Sequence, residues 1–306
     1  MNKIALPQSN LLVSPVVLGL MRIGSMSVPE AESLIEIALD LGINHFDHAD
    51  IYAGGKSEKI FGEVLKLHPD WRKHMIIQDK CAIVPGKMYD FSKEHILSAV
   101  DKSLANLGVS SLDILLLHRP DALMELEEVA EAFDYLSRTG KVHYFGVSNH
   151  TPYQIKLLRS MVKQPLIINQ LQLSLMHAGL IDAGINMNNH TDAACDRDGS
   201  ALDYARLHRM TVQAWSPLQY GFFEGVFVGN EKFPELNKVL DELAHEYGVA
   251  PSAIAIAWIL RHPASMQAIA GTTNKQRLAD ISKAADITLT REQWYKLYMA
   301  AGHALP

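Results

Sequence analysis

Short apolar runs rich in branched residues alternate with longer stretches of helical spacing along the whole chain. The runs fall at residues 16–20, 44–47, 76–80, 112–118, 144–148, 167–171, 211–215 and 266–270. Four to seven such residues between polar clusters predict strands buried on both faces, as in a parallel sheet. The stretches between them carry helix punctuation. Ser27-Val28-Pro29-Glu30 has capping-box form ahead of a helix that stops at Gly42, and Gly108 and Gly140 follow two further helical patterns. Eight strand–helix units close naturally into a barrel, so the expected fold is α/β, a single (β/α)8 TIM barrel spanning residues 1–306 as one domain. An open doubly wound sheet would be favoured by a G-x-G-x-x-G turn after the first strand, which the sequence lacks. Residues 3–15 precede the first strand and are expected as a plug or hairpin under the barrel. Thr290-Arg291-Glu292-Gln293 again has capping-box form and starts an extra C-terminal helix.

Composition changes this picture only by exclusion. The chain has 306 residues, 48% of them hydrophobic and 20% charged, with a net charge of −6. That balance suits a large core and offers no basic field for nucleic acid. The longest strongly apolar stretch, residues 253–260, is far short of a membrane span, and Pro7 to Asn10 interrupt any signal-peptide core. Two cysteines, Cys81 and Cys195, require no disulfide framework, so the expected location is cytoplasmic, with no membrane and no nucleic-acid partner. No self-association signature is visible, and a monomer or weak oligomer is expected.

Chemistry in such a barrel is sought where ionisable residues replace apolar ones at the C-terminal ends of strands. Asp47 ends the second strand, with Tyr52 five residues on; Lys80 ends the third and His118 the fourth. A free phenol has a pKa near ~10 and gives up its proton reluctantly. A neighbouring Lys80 ammonium is expected to lower that pKa, with Asp47 keeping the lysine charged. His118 can hydrogen-bond the same carbonyl oxygen. The set suits proton delivery to an oxygen while hydride attacks its carbon. Taken singly, each residue reads as a loop cap or a salt-bridge partner; their convergence on one barrel mouth is what points to catalysis. His45 and His48 read as packing residues, and Cys81 should face the opposite side of its strand from Lys80.

These residues carry a family resemblance, because the chain resembles the aldo-keto reductases, in particular bacterial-type NADP(H)-dependent oxidoreductases. NHFDHADIYAGGKSEKIFG at 44–62 is similar to the family's strand-two signature, LDILLLHRPD at 112–121 to its strand-four signature, and GKVHYFGVSN at 140–149 to its strand-five one. The resemblance implies that Asp47, Tyr52, Lys80 and His118 are the catalytic tetrad, and that NADP(H) lies extended over the barrel mouth. It implies nicotinamide-carboxamide contacts at Ser148, Asn149 and Gln170, and an aromatic stack on Trp215. Ser216 and Leu218, in AWSPL, resemble the pyrophosphate loop. Gly271, Thr272 and Arg277, in AGTTNKQRLAD, match the segment that grips the adenosine 2′-phosphate. Many relatives carry lysine where this chain has Gly271, and asparagine where it has Ile281, so NAD(H) is a second cofactor the same cleft can take.

The activity implied is hydride transfer from NADPH to an aldehyde or ketone, reversible to alcohol oxidation, with a small-molecule carbonyl compound as partner. The alternative within the family is an NADP(H)-binding regulatory subunit with little turnover. A metal-dependent hydrolase using His45, Asp47 and His118 would need further ligands at other strand ends, and the last strand finishes in Ala268-Ile269-Ala270, so no metal site is expected. The long stretch 177–200, with Met21, Arg22 and Tyr89, is expected to shape the substrate pocket.

Overall fold

The computed structural model describes residues 1–306. Each apolar run forms a strand: β1 (Val16–Gly19), β2 (His45–Asp47), β3 (Ile76–Cys81), β4 (Leu112–Leu117), β5 (Val142–Ser148), β6 (Leu166–Gln172), β7 (Thr211–Trp215) and β8 (Gln267–Ala270). All pair in parallel in chain order, and β8 returns to β1 to close the barrel. Asp47 sits opposite Gly19 on one side and Gln78 on the other, which brings three strand ends to one level.

The wall outside the strands is built by α1 (Val28–Asp40), α2 (Lys56–Leu67), α3 (Lys93–Leu107), α4 (Leu126–Arg138), α5 (Pro152–Arg159), α6 (Gly179–Ile185), α7 (Ala201–Leu207), α8 (Pro234–Tyr247), α9 (Pro251–Leu260), α10 (Lys275–Ser282) and α11 (Arg291–Ala300). Their termini follow local chemistry. Ser27 and Glu30 form the capping box of α1, Thr290 and Gln293 that of α11, and Gly108 ends α3 in the left-handed conformation at φ 66°. α9 is apolar all round because it is wrapped on every side: Ala253 to Ile259 are all buried. No single helix is long and apolar enough to cross a membrane.

The main core lies between the backs of the strands and the helices. A second, small cluster fills the bottom of the barrel interior. There the N-terminal residues form a hairpin, Ile4–Ala5 against Leu12–Val13, and Leu6 and Val13 plug the barrel against Ile114, Leu116 and Ile168. Beside this aliphatic plug, polar side chains run from His45 and Gln267 at the starts of β2 and β8 up to Asp47 and Lys80 near the strand ends.

Candidate active site

Strand alternation turns Asp47, Gln78, Lys80, Gln170, Gln213 and Gln267 towards the barrel axis, where all six are buried. A primary amide both donates and accepts, so glutamines from facing strands can satisfy one another in a dry interior. Gln213 Nε2 donates to Gln78 Oε1 (3.1 Å) and Gln267 Oε1 (3.0 Å), while Gln213 Oε1 accepts from Gln78 (2.9 Å) and Gln170 (3.0 Å). Gln267 donates to the Ser14 carbonyl at 2.7 Å, which ties the lattice to the floor of the barrel. At its upper edge the lattice converges on Asp47, which accepts from Gln78 Nε2 at 2.6 Å and Gln170 Nε2 at 3.1 Å.

Asp47 also forms a bidentate pair with Lys80, whose Nζ lies 2.7 and 2.8 Å from the two carboxylate oxygens and 2.6 Å from the His48 carbonyl. Both side chains are nearly inaccessible, 3% and 1% exposed. Burial alone would push the Asp47 carboxyl up, but the Lys80 charge and the Gln78 and Gln170 amides hold it below the usual carboxylate range. Burial would likewise lower the Lys80 ammonium, and Asp47 and Tyr52 hold it above its ordinary value. The pair is therefore charged on both sides at neutral pH.

Tyr52 is carried over this pair by a tight turn at the end of β2. Ala53, Gly54 and Gly55 all have positive φ (50°, 66° and 87°), and the consecutive glycines supply that conformation without a Cβ penalty. The Lys80 ammonium lies 5.1 Å from the Tyr52 ring centroid, and the His118 ring meets the Tyr52 ring edge-on at 6.2 Å. Lys80 lowers the Tyr52 pKa as expected, but it does not set the net direction. The Tyr52 phenol is held above its ordinary pKa, because burial outweighs the lowering by Lys80 and both Asp47 and Asp79 add to the rise. His118 is pushed down to about 3 by burial and by the Lys80 and Arg119 charges, so it is neutral, and its Nδ1 is buried without a partner.

Tyr52 and His118 open into a cavity of 840 Å³ at the C-terminal ends of the strands. Of the residues singled out from the sequence, Asp47, Tyr52, His118, Ser148, Asn149, Gln170, Trp215, Ser216, Leu218, Gly271, Thr272 and Arg277 all line it. Lys80 lies beneath its floor. Ser148 Oγ donates to the Gln170 carbonyl at 2.9 Å, Asn149 Nδ2 donates to Ser148 Oγ at 2.8 Å, and Trp215 Nε1 donates to Asn149 Oδ1 at 3.1 Å. Asn149 and Ser216 hold left-handed backbone, φ 60° and 51°, at the ends of β5 and β7. At the far end, Thr272, Asn274 and Arg277 surround the start of α10, where Asn274 Oδ1 caps the Arg277 amide at 2.9 Å. Amide and hydroxyl groups near Tyr52, an aromatic wall, and a helix start with an arginine at the other end are the donor set a nicotinamide dinucleotide needs. Gly271 belongs to this cradle: a Cβ there would stand 3.0 Å from Arg22 Nη1, which donates to the Gly271 carbonyl at 2.5 Å.

The pocket walls differ from expectation in one respect. Met21 and Arg22 line the cavity, but Tyr89 and the whole of 177–200 do not. Tyr89 lies in a small hairpin, Ile83–Val84 against Met88–Tyr89, of which Ile83 reaches the cavity. The stretch 177–200 is drawn away towards the C-terminal segment, where Asp182 accepts from the Tyr298 hydroxyl at 2.7 Å. It lines a separate cleft with Arg261, Arg291 and Trp294. The mouth is covered instead by the segment after β7, through Pro217, Gln219, Phe223, Val226 and Val228. Sequence reading also missed the glutamine lattice and Arg119, whose guanidinium lies 5.9 Å from the Trp215 ring and forms no ion pair. The inward period of two on β3 and β7 was the available signal for the glutamines. His45 is buried and 3.2 Å from Gln267 Nε2, and no group of three His, Cys, Asp or Glu side chains has the geometry to hold a metal ion.

Residues 15–300 match the model of the aldo/keto reductase family. The chain is 36% identical to the oxidoreductase YcsN of Bacillus subtilis, covering 97% of each chain. It is also 36% identical to a 6-dehydroglucose reductase of Agrobacterium fabrum, covering 98% of each. Among solved structures, the thermostable aldo-keto reductase Tm1743, crystallised with the inhibitor epalrestat, superposes with a TM-score of 0.78 over 98% of this chain and all of that one, at 24% identity.

Proposed function

The chain is an oxidoreductase that belongs to the aldo/keto reductase family, and from that premise we propose that it reduces small-molecule aldehydes or ketones with NADP(H), or NAD(H) in the same cleft, through Tyr52, Lys80, Asp47 and His118. The observation that carries the reading is the bidentate Lys80–Asp47 pair directly under the Tyr52 ring, at the floor of the one large cavity at the barrel mouth. When bound, the nicotinamide supplies hydride to the carbonyl carbon. Tyr52 delivers the proton to the carbonyl oxygen, and Lys80 stabilises the phenolate that remains. Neutral His118 donates a hydrogen bond to the same oxygen and orients it. Asp47, fixed by Gln78 and Gln170, keeps Lys80 charged and in place.

Ser148, Asn149 and Gln170 are the groups suited to the carboxamide, and Trp215 to stacking on the ring. Ser216 and Leu218 flank the pyrophosphate path. Gly271, Thr272 and Arg277 face the adenosine end, where the arginine fork suits a 2′-phosphate. On the substrate side, unpaired Arg119 offers donors to oxygen-rich compounds. Similarity to a 6-dehydroglucose reductase makes sugar aldehydes the first compounds to assay. The free thiols of Cys81 and Cys195 suit a reducing, cytoplasmic setting.

The test is NADPH consumption, with NADH in parallel, against sugar aldehydes, simple aldehydes, ketones and quinones. Tyr52→Phe is expected to lower turnover by about 10²-fold or more, the scale of a lost general acid, with cofactor quenching of tryptophan fluorescence unchanged. Undiminished turnover in the variant would remove Tyr52 from the mechanism. Cofactor binding without turnover on any carbonyl would favour a regulatory subunit.

A further inference from the structure

The cavity at the barrel mouth carries positive charge that the proposed chemistry leaves unanswered. Three guanidinium groups line it, those of Arg22, Arg119 and Arg277, against a single carboxylate, Asp47. Asp47 is already held in its bidentate pair with Lys80, so no acid of the protein remains in the cavity to balance the arginines. Two of the three are placed on one side of the mouth. Arg22 donates to the Gly271 carbonyl, just past the end of β8, and Arg277 lies in the first turn of α10, where Asn274 caps its amide. Arg119 follows β4, which in the closed ring of eight strands lies four places from β8 in either direction. Its root is therefore on the rim opposite the residues suited to the adenosine end of a dinucleotide.

That root is fixed by the residue before it. The His118 amide donates to the Cys81 carbonyl at 3.0 Å, and the His118 carbonyl accepts from Asn149 Nδ2 at 3.4 Å. The Arg119 side chain is half-buried, its guanidinium carbon lies 5.9 Å from the centre of the Trp215 ring, and it forms neither an ion pair nor a hydrogen bond. An aromatic ring attracts the cation but supplies no acceptor in the plane of its five N–H donors. Burial holds the guanidinium below its ordinary pKa, the direction expected of a cation short of solvation. A substrate hydroxyl could restore hydrogen bonds to this group but not the missing countercharge. A carboxylate supplies both, and its two oxygens match the planar fork.

We infer that Arg119 binds a carboxylate on the substrate, so that the compounds this cavity selects are aldehydes or ketones with a carboxylate a few atoms from the carbonyl. The inference rests on the proposed reading that Tyr52 and His118 receive the carbonyl oxygen, and it narrows that reading from small carbonyl compounds to anionic ones. His118 and Arg119 are consecutive residues that both line the cavity, and the His118 ring meets Tyr52 edge-on, so a short linker lets one molecule reach both. The carboxylate takes no part in the bond changes. Hydride adds to the carbonyl carbon, the proton passes from Tyr52 to the carbonyl oxygen, and the product is a hydroxy acid. The charge decides which end of the compound faces Arg119, and so which carbon is presented.

The experiment compares glutaric semialdehyde, its neutral methyl ester and the hydroxyl-rich glyceraldehyde. The wild type is expected to favour the acid over the ester by about tenfold or more in kcat/KM, the scale of one charge-assisted hydrogen bond, chiefly through KM. Arg119→Met keeps the apolar reach over Trp215 and is expected to remove most of that preference, while Arg119→Lys, with the charge but not the fork, falls between. Equal kcat/KM for acid and ester in the wild type, glyceraldehyde reduced as well as the acid, or an equal loss on acid and ester in Arg119→Met each overturns the inference; the last would make Arg119 a wall of the cavity. Binding without turnover gives a second readout. Glutarate, which has no aldehyde to reduce, is titrated by calorimetry into wild type, Arg119→Met and Arg277→Met. Its affinity is expected to fall about tenfold in Arg119→Met and far less in Arg277→Met. No binding to the wild type, or the reverse pattern in the variants, overturns the inference. A protein that binds glutarate through Arg119 and reduces no carbonyl compound would refute the proposed reaction and keep the anion site, so the two failures are told apart.

Discussion

At the scale of single residues, the most exacting position is Lys80, a charge buried to 1% exposure and held by three hydrogen bonds. Replacing it with methionine keeps the volume but leaves Asp47 as a buried, unpaired carboxylate. Breaking one side of a buried pair costs about 3–5 kcal/mol, so Lys80→Met is expected to lower the denaturation midpoint strongly as well as abolish turnover. Urea unfolding of Lys80→Met against Lys80→Met with Asp47→Asn checks this. The second change removes the stranded charge and is expected to recover much of the loss. Arg119 is the opposite case, a cation with no partner whose guanidinium is already over an aromatic wall of the cavity.

At the scale of elements, the contact between α2 and α3 fixes both Glu58 and the turn bearing Tyr52. It depends on Gly62, where a Cβ would stand 2.2 Å from the Asn106 carbonyl oxygen. Backbone cannot yield as a flexible side chain can, so Gly62→Ala is expected to separate the helices and destabilise the protein by about 1–3 kcal/mol, as overpacking does. Chemical denaturation measures that directly. The stretch 177–200 behaves differently. Its exposed part touches neither the mouth cavity nor the residues proposed for catalysis. Exchanging residues 187–192 for glycine and serine is expected to leave carbonyl reduction within about threefold of the parent, a change under 1 kcal/mol in the barrier. A larger loss would show that the segment moves over the mouth during turnover.

The whole molecule responds to pH through its buried histidines. His45 and His150 are pushed down to about 4, and His48 and His118 to about 3, in every case first by burial. Each stays neutral in the folded chain but takes a proton at about 6.5 in the unfolded one. The unfolded state therefore binds more protons as pH falls from about 6.5 towards 4, and stability is lost over that window. Asp47, depressed when folded, adds to the loss at still lower pH, while Asp50, raised to about 7, works the other way between about 4 and 7. His262, pushed down to about 4, and His177 and His208, also lowered by burial, add to those four, and together they outnumber the raised groups Asp50, Asp79, Asp198 and His303, so the melting temperature is expected to fall by about 5 °C or more between pH 7 and pH 5. Calorimetry across that range checks it, and a flat profile would mean that the imidazoles are not desolvated in solution.

Strand positions, the closed barrel, the N-terminal hairpin and the capped C-terminal helix were legible in the chain, because short apolar runs, capping residues and glycine stops act over a few covalent neighbours. The order of Asp47, Tyr52, Lys80 and His118 was legible for the same reason, since a strand end is a local feature and the barrel gathers strand ends at one mouth. What tertiary structure alone decided involves partners far apart in sequence. Gln78 and Gln213 are 135 residues apart, and Asp182 and Tyr298 are 116 apart; the first pair builds the lattice under Asp47, and the second draws 177–200 off the mouth. The raised pKa of Tyr52 belongs to the same class. It follows first from desolvation, and how much water a side chain loses is set by everything packed around it rather than by its neighbours in the chain.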